Sequence, residues 1–289
     1  PLFRTVHDAG LKDEAKRTAL KVGVSVTPGI DNGTALTLLR KYPDVAALKQ
    51  VVREHGLDLS SDLLEDANIS LEDKADSVLQ AAYDKGLDLY TVEELSETLT
   101  QAVETMYSDY PGNRIRLKAI SGGGGKGQRI LAAPTAYSGS QSERIQLAAA
   151  KTPELIREIL NEVKATGVGD NKNVLVELNI ETTRHQEIQV VGNGHWSITL
   201  GGRDCSLQMH EQKLLEVSVT VESLQSAIHE AELQGQVREA AVLKQDLKTL
   251  VAMEDEAARF GKAVGLDSVS TFECIVDRDK HFFMEMNTR

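Results

Sequence analysis

Glu273 in "TFECIVD" and Glu285 in "HFFMEMN" are the side chains whose spacing speaks most directly of chemistry. The two segments alternate apolar and polar residues on either side of "RDK", the pattern of a β-hairpin. With the turn centred on Asp279, Glu273 faces Glu285, while Cys274, Val276, Phe282 and Met284 claim the opposite, buried face. Two carboxylates set directly across a ladder repel one another. Either the register differs and both point to solvent, or a divalent cation sits between them. Asn287 falls on the same face as Glu285, and an all-oxygen donor set suits Mg2+ or Mn2+ rather than zinc.

A second candidate is the glycine run in "KAISGGGGKGQRI", residues 118–130. A P-loop needs Gly-Lys followed by Ser or Thr at the start of a helix, but here Lys126 precedes Gly127 and a strand-like segment. A dinucleotide fingerprint fails on the same ground, because no helix follows the glycines. What remains is a strand–loop–strand hairpin, either a flap whose backbone N–H groups fold over phosphates or a plain flexible connection. Lys118 and Lys213 could add positive charge, although single lysines mostly decorate solvated faces. His185 in "TRHQEIQ" shares a strand face with Glu187 and Gln189, and a lone histidine there is more often structural. No Ser-His-Asp order and no zinc-type Cys/His spacing is present. The two cysteines, Cys205 and Cys274, read as reduced core or site-lining residues.

The elements that must carry these groups follow from periodicity. Helical spacing runs from Leu11 to Val22, and a short apolar stretch is broken at Pro28-Gly29. Between about 34 and 107 the chain reads as four helices, with Gly56 and Gly86 as C-terminal caps and Thr91/Glu94 as a capping box. From Arg114 the pattern changes to the glycine-loop hairpin, then a helix capped by Thr152, the strand "VLVELNI", and the hairpin "HQEIQVV"–"GNGH"–"WSITLGG". A long helical stretch over 221–261, turning near Gly235, precedes the final hairpin. This order is α+β with antiparallel hairpins, not a doubly wound parallel sheet.

The formal net charge of −12 is concentrated: between Pro43 and Tyr110 there are 16 acidic and 4 basic residues, and the remainder is neutral. Such a balance argues against a nucleic-acid partner. No apolar run approaches the roughly 18 residues of a membrane span. The chain opens on Pro1 with no signal-peptide pattern and reads as an excerpt of a longer, cytoplasmic protein, mitochondrial if eukaryotic.

Taken together, "LKDEAKRTALKVGVSVTPG", "LKAISGGGGKGQRI", "ETTRHQEIQVV", "GGRDCSLQMHEQKLLE" and "TFECIVDRDKHFFMEMNTR" resemble, in order, the biotin carboxylases, the ATP-grasp component of biotin-dependent carboxylases. The resemblance covers roughly 10–40, 114–221 and 258–289. It implies an ATP-grasp fold with a Gly-rich lid subdomain and added helical insertions. The implied parts are 1–40 as the start of the ATP-grasp region, 41–113 as an acidic helical insertion, 114–180 as the lid subdomain, and 181–289 as the central subdomain with an insertion at about 222–257.

By matching position, Lys12, Lys118, Glu177 and the backbone of Leu178 and Ile180 would surround adenine and nearby phosphates. His185 and Gln208 would approach the ribose, and Gly123, Gly124 and Gly125 would cover the phosphates. Lys213 would reach the terminal ones. Glu273, Glu285 and Asn287 would hold Mg2+ or Mn2+, and Arg289 would position bicarbonate. Lys213, Asn287 and Arg289 are thereby implied as the catalytic set. The implied reaction is phosphorylation of bicarbonate by ATP to carboxyphosphate, followed by carboxylation of biotin on a carboxyl carrier. A carboxyltransferase partner and a homo-oligomer are implied for the full-length protein.

The chain departs from the family at several points. The expected continuation "QVEH" after Arg289, whose glutamate is the expected base in biotin activation, is not within it. The fragment is therefore expected to be incomplete for turnover by itself. "MHEQK" stands where "RRHQK" is usual, so Glu211 takes the expected histidine place; Leu178 replaces a lysine, and Lys126 an arginine. Two other readings are a different ATP-grasp ligase, such as a carbamoyl-phosphate synthase-like enzyme, and a non-catalytic nucleotide-binding assembly module.

Overall fold

The computed structural model describes residues 12–119, 127–166, 172–181, 183–209 and 212–288. The first described helix, α1 (Lys12–Lys21), leads through an extended strap to Thr27. From Pro28 to Asn179 the chain forms one compact unit, and α1, the strap and residues 180–289 form a second.

The Pro28–Asn179 unit opens with β1 (Gly29–Ile30) and five helices: α2 (Gly33–Lys41), α3 (Val45–Glu54), α4 (Ser61–Glu65), α5 (Leu71–Asp84) and α6 (Val92–Asp109). Leu38, Leu48, Val51, Leu64, Val78 and Leu89 form a core of their own among α2 to α5. The acidic residues of this stretch therefore dress the outside of a packed helical cluster. Gly56 and Gly86 close α3 and α5 in the left-handed region, at φ 57° and 67°. The amides just past these glycines then reach back, Leu57 to the Val52 carbonyl and Leu87 to that of Ala82. The Thr91/Glu94 capping box forms as expected.

β2 (Ile115–Ala119) and β3 (Gln128–Leu131) make the antiparallel hairpin around the glycine run, and β4 (Val174–Leu178) completes a sheet of order β1-β4-β2-β3. Between β3 and β4 lie α7 (Gln141–Ala149) and α8 (Thr152–Thr166). Thr152 is not the cap the spacing predicts. It is the first residue of α8, and its buried hydroxyl has no hydrogen-bond partner. The box that does form is Ser140/Glu143 at the start of α7, a helix the periodicity did not reveal.

The second unit is built on a five-stranded antiparallel sheet, order β11-β10-β5-β6-β9. Its strands are β5 (Arg184–Gly192), β6 (Ser197–Asp204), β9 (Val217–Val219), β10 (Val269–Asp277) and β11 (Lys280–Thr288). A two-stranded ribbon, β7 (Gln208–Met209) with β8 (Gln212–Lys213), falls between β6 and β9. The long helical stretch is a pair, α9 (Val221–Leu233) and α10 (Val237–Ala263), and the chain reverses around Gly235. α1 and α10 cover one face of the sheet, burying Ile188, Val190, Phe260, Phe272, Cys274 and Phe283. The rings of Phe272 and Phe283 stack at 4.6 Å. Glu256 of α10 ties this layer together, accepting hydrogen bonds from the Ser25 amide (3.0 Å) and hydroxyl (2.8 Å) and pairing with His281 at 3.0 Å. Among the described residues no helix is long and apolar enough to cross a membrane.

The last hairpin differs from the sequence reading in one instructive way. Its turn is two residues, Arg278-Asp279, with Arg278 at φ 55°, so Asp277 faces Lys280 and Cys274 faces Phe283. An irregularity between Glu273 and Cys274 leaves Met284 as an extra residue, after which Glu273 faces Glu285 as expected. The two-residue turn puts Phe283 in the core in place of Phe282, and the bulge puts Met286 there in place of Met284, which is 40% exposed. Phe283→Ala should therefore cost about 3–5 kcal/mol of unfolding free energy. Phe282→Ala, on the face that strict alternation would bury, should cost clearly less. Urea denaturation of the two variants decides which phenylalanine the core uses.

Candidate functional site

On the sheet face opposite the apolar core, three glutamates stand side by side. Glu187 of β5 faces Glu273 of β10, and Glu273 faces Glu285 of β11. β6 extends the row, because Arg203 faces Glu187. Strand pairing alone makes this row, since residues directly across antiparallel strands share a face. Such an arrangement requires positive charge or protons.

Lys213 and Arg203 supply the charge. Glu187 is fully buried, and its two carboxylate oxygens are divided between Arg203 and the Lys213 ammonium, the latter at 2.5 Å. Lys213 also lies 3.4 Å from Glu273 Oε1. It can reach both glutamates because β8 pairs with β7, Gln208 opposite Lys213. The remaining capacity of Glu273 is taken by Asn287, whose side-chain amide donates to Oε1 at 2.7 Å, and by His185, 3.0 Å from Oε2.

The hydrogen bonds also settle the His185 tautomer. Gln208 Nε2 donates to the Cys205 carbonyl at 2.8 Å and contacts His185 Nδ1 at 2.7 Å. An NH2 group only donates, so Nδ1 accepts, and the proton on Nε2 points at Glu273. The imidazole is held between a donor and a carboxylate. Burial pushes the Glu273 carboxyl upward, but the His185 hydrogen bond and the interactions with the Lys213 ammonium outweigh it and hold the group below the ordinary range. Burial likewise opposes the charge on Lys213, and its glutamate partners overcome this and raise it. Burial and the neighbouring Glu187 push the Cys205 thiol up to about 11, so it is protonated at neutral pH and not a nucleophile there.

Of the residues singled out from sequence, His185, Gln208, Lys213, Glu273 and Asn287 meet in this one network, and Glu285 stands beside it. Lys118, Glu177 and Leu178 belong to the Pro28–Asn179 unit. Lys118 of β2 pairs with Leu175 and Gln128, Glu177 of β4 with Gly29 and Arg116, and the Leu178 amide donates to the Pro28 carbonyl. Ile180 follows β4 and is half-buried. Gly123, Gly124, Gly125 and Arg289, and the side chain of Lys12, lie outside the described residues. Sequence reasoning missed Glu187 and Arg203 as members of the site. The signal was present in the alternation of "HQEIQ", but only the pairing of β5 with β10 turns Glu187 toward Glu273.

The donor set can be tested against a divalent cation. His185, Glu187 and Glu273 each place a potential ligand atom within 4.8 Å of the others. With Glu285 and Asn287 adjacent, the oxygens outnumber the single imidazole, which fits Mg2+ or Mn2+. Two side-chain cations already drawn to these carboxylates mark the row as a place of strong negative potential.

The chain matches the family model described as carbamoyl-phosphate synthase L chain, ATP-binding domain, over residues 85–231. It is 33% identical over 207 residues to biotin carboxylase 1 of Bacillus subtilis, an alignment covering 68% of this chain and 35% of that protein. It is 34% identical over 198 residues to the propionyl-CoA carboxylase alpha chain of Ruegeria pomeroyi, covering 68% of this chain and 23% of that one. The chain thus spans about a third or less of these relatives' length. A biotin carboxylase from Campylobacter jejuni, crystallised as a βγ-ATP complex, superposes with a TM-score of 0.55 at 22% identity, over 99% of this chain and 42% of that one. The biotin carboxylase domain of the Hydrogenobacter thermophilus 2-oxoglutarate carboxylase, in complex with MgADP, ADP and bicarbonate, gives 0.50 at 23% identity, over 98% and 40%. These likenesses establish the ATP-grasp fold of biotin carboxylases.

Linkage predicts how the network responds to acid. A carboxyl whose folded-state affinity for protons is depressed contributes stability above the ordinary glutamate value, about 4.3, and loses it as pH falls through the folded value. The urea midpoint should therefore drop between pH 5 and 3 in the wild type, more steeply than in Glu273→Gln, which carries no proton-linked group there. Parallel acid slopes would remove Glu273 from the account. The match over residues 85–231 makes this chain a member of the carbamoyl-phosphate synthase L chain, ATP-binding domain family, similar within it to biotin carboxylases.

Proposed function

We propose that the chain is the ATP-grasp portion of a biotin carboxylase. In this reading it binds Mg·ATP, and the whole protein uses ATP and bicarbonate to carboxylate biotin on a carrier, for a carboxyltransferase to use. The observation that carries the reading is the opposed pair Glu273 and Glu285, with Asn287 and Lys213 at its side, in a chain whose relatives are biotin carboxylases and biotin-dependent carboxylase subunits. Glu273, Glu285 and Asn287 would hold the cation, which when bound neutralises phosphate charge during transfer.

The chain's own groups then have separable tasks. Lys213 offers an ammonium next to the cation ligands, suited to a terminal phosphate oxygen. His185, fixed by Gln208 with its Nε2 proton toward Glu273, keeps that carboxylate oriented. Phosphoryl transfer asks little more of a protein than such positioning and charge neutralisation. Lys12, Lys118 and Glu177, the backbone of Leu178 and Ile180, and Gly123, Gly124 and Gly125 are proposed for the nucleotide, and Arg289 for bicarbonate. The acidic helices bring no chemistry of this kind.

Two measurements test the proposal. The 289-residue chain should bind Mg·ATP by calorimetry, and Glu285→Gln should weaken binding at least tenfold, about 1.4 kcal/mol. Unchanged affinity would remove Glu285 from the cation site. In the whole protein, bicarbonate-dependent ATP cleavage should rise when biotin is added. Cleavage indifferent to biotin would favour a carbamoyl-phosphate synthase-like ligase.

A further inference from the structure

Both oxygens of Glu273 are already in use. Oε2 receives the His185 Nε2 proton, and Oε1 receives Asn287 and Lys213. Asn287 stands on β11, the strand that carries Glu285, and donates to Oε1, so Oε1 is the oxygen on the β11 side of the Glu273 carboxylate. A cation held between Glu273 and Glu285 must use that oxygen, the one that Lys213 holds at 3.4 Å.

The charges lead to the same conflict. Glu187 and Glu273 balance Lys213 and Arg203, while Glu285 has no ion-pair partner among the described residues. A dication at Glu273 and Glu285 would bring two positive charges against an ammonium sharing the same carboxylate, in a partly buried place where screening is weak. Arg203 cannot yield, because it fills the far oxygen of the fully buried Glu187 and also pairs with Glu216. Lys213 can. It stands on a two-residue strand, its side chain is 25% exposed, and four rotatable bonds separate its charge from the backbone.

We propose that Lys213 is a resident counter-ion of the glutamate row, expelled from Glu273 when a divalent cation binds between Glu273 and Glu285. This rests on the reading of those two glutamates as cation ligands and adds the order of events. Without the cation, the lysine is spent on holding the carboxylates together. Cation binding releases its ammonium, which turns to the anion that the cation brings. The lysine is thereby armed only when the metal is present, and a nucleotide arriving without metal finds it occupied.

Mn2+ alone is the probe, read by electron paramagnetic resonance titration of the full chain without nucleotide. Lys213→Met should bind Mn2+ at least tenfold more tightly than wild type, while Lys213→Arg, which keeps a competing cation, should stay near wild type. Equal or weaker binding by Lys213→Met overturns the counter-ion role, with the cation site left standing if wild type binds Mn2+. Absence of binding in all three proteins overturns the cation reading and the proposal together. A second readout needs no variant: acetylation of Lys213 in the wild type, followed by peptide mass spectrometry, should speed up several-fold with Mn2+, while the exposed Lys248 labels at a constant rate. Unchanged or slower labelling of Lys213 overturns the proposal.

Discussion

Three carboxylates forced abreast by strand pairing are the constraint on which the second unit is organised. Glu187, Glu273 and Glu285 cannot move apart, because each is one rung of a ladder whose other face is packed against α1 and α10. Apolar burial thus holds the charges together, and the cost is met by Lys213 and Arg203 together with Asn287 and His185. Removing a partner from a buried ion pair costs about 3–5 kcal/mol, whereas the intact pair adds little net stability. The row is therefore better understood as a poised electrostatic site than as a stabilising feature.

The same hairpin supplies both the core and the site through its turn and one irregularity. A two-residue turn would carry strict alternation down the strands and place Phe282 opposite Ile275 with Glu285 out of line with Glu273. The extra residue at Met284 corrects the register between the Phe283 rung and the Glu285 rung. On one side of the bulge the sheet delivers Phe283 to the Phe260 and Phe272 rings; on the other it delivers Glu285 to the carboxylate row. The two-residue turn sets Phe283 in the core, and a single inserted residue then sets both Met286 in the core and Glu285 in the row.

The Pro28–Asn179 unit is put together on other principles. Its helices carry a separate apolar core, closed by local caps at Gly56, Gly86 and Thr91. The acidic excess of residues 43–110 lies on these helices and not on the carboxylate row. Charge composition and site charge are thus unrelated here: the residues that make the chain acidic are remote in sequence from those whose acidity could bind a cation.

Much of this was legible in one dimension. Helix periodicity, the capping signals of α3, α5 and α6, the hairpin order and the facing of Glu273 with Glu285 follow from spacing, because they depend on neighbours within a few residues or across one turn. Thr152 misled because a capping residue type cannot be told from a first-turn residue when a preceding helix, α7, has not been recognised. Glu187 and Arg203 escaped because their role needs β5 to lie between β10 and β6, and the pairing of β5 with β10 sets Glu187 opposite Glu273, 86 residues on. The short ribbon of β7 and β8 belongs to the same class, since it alone brings Lys213 to two buried carboxylates. The amino-acid sequence by itself determined the elements and the chemical types available. Only the tertiary structure decided which charges share a face and which cation answers them, because electrostatic neutralisation acts through space between strands whose partners local spacing does not specify.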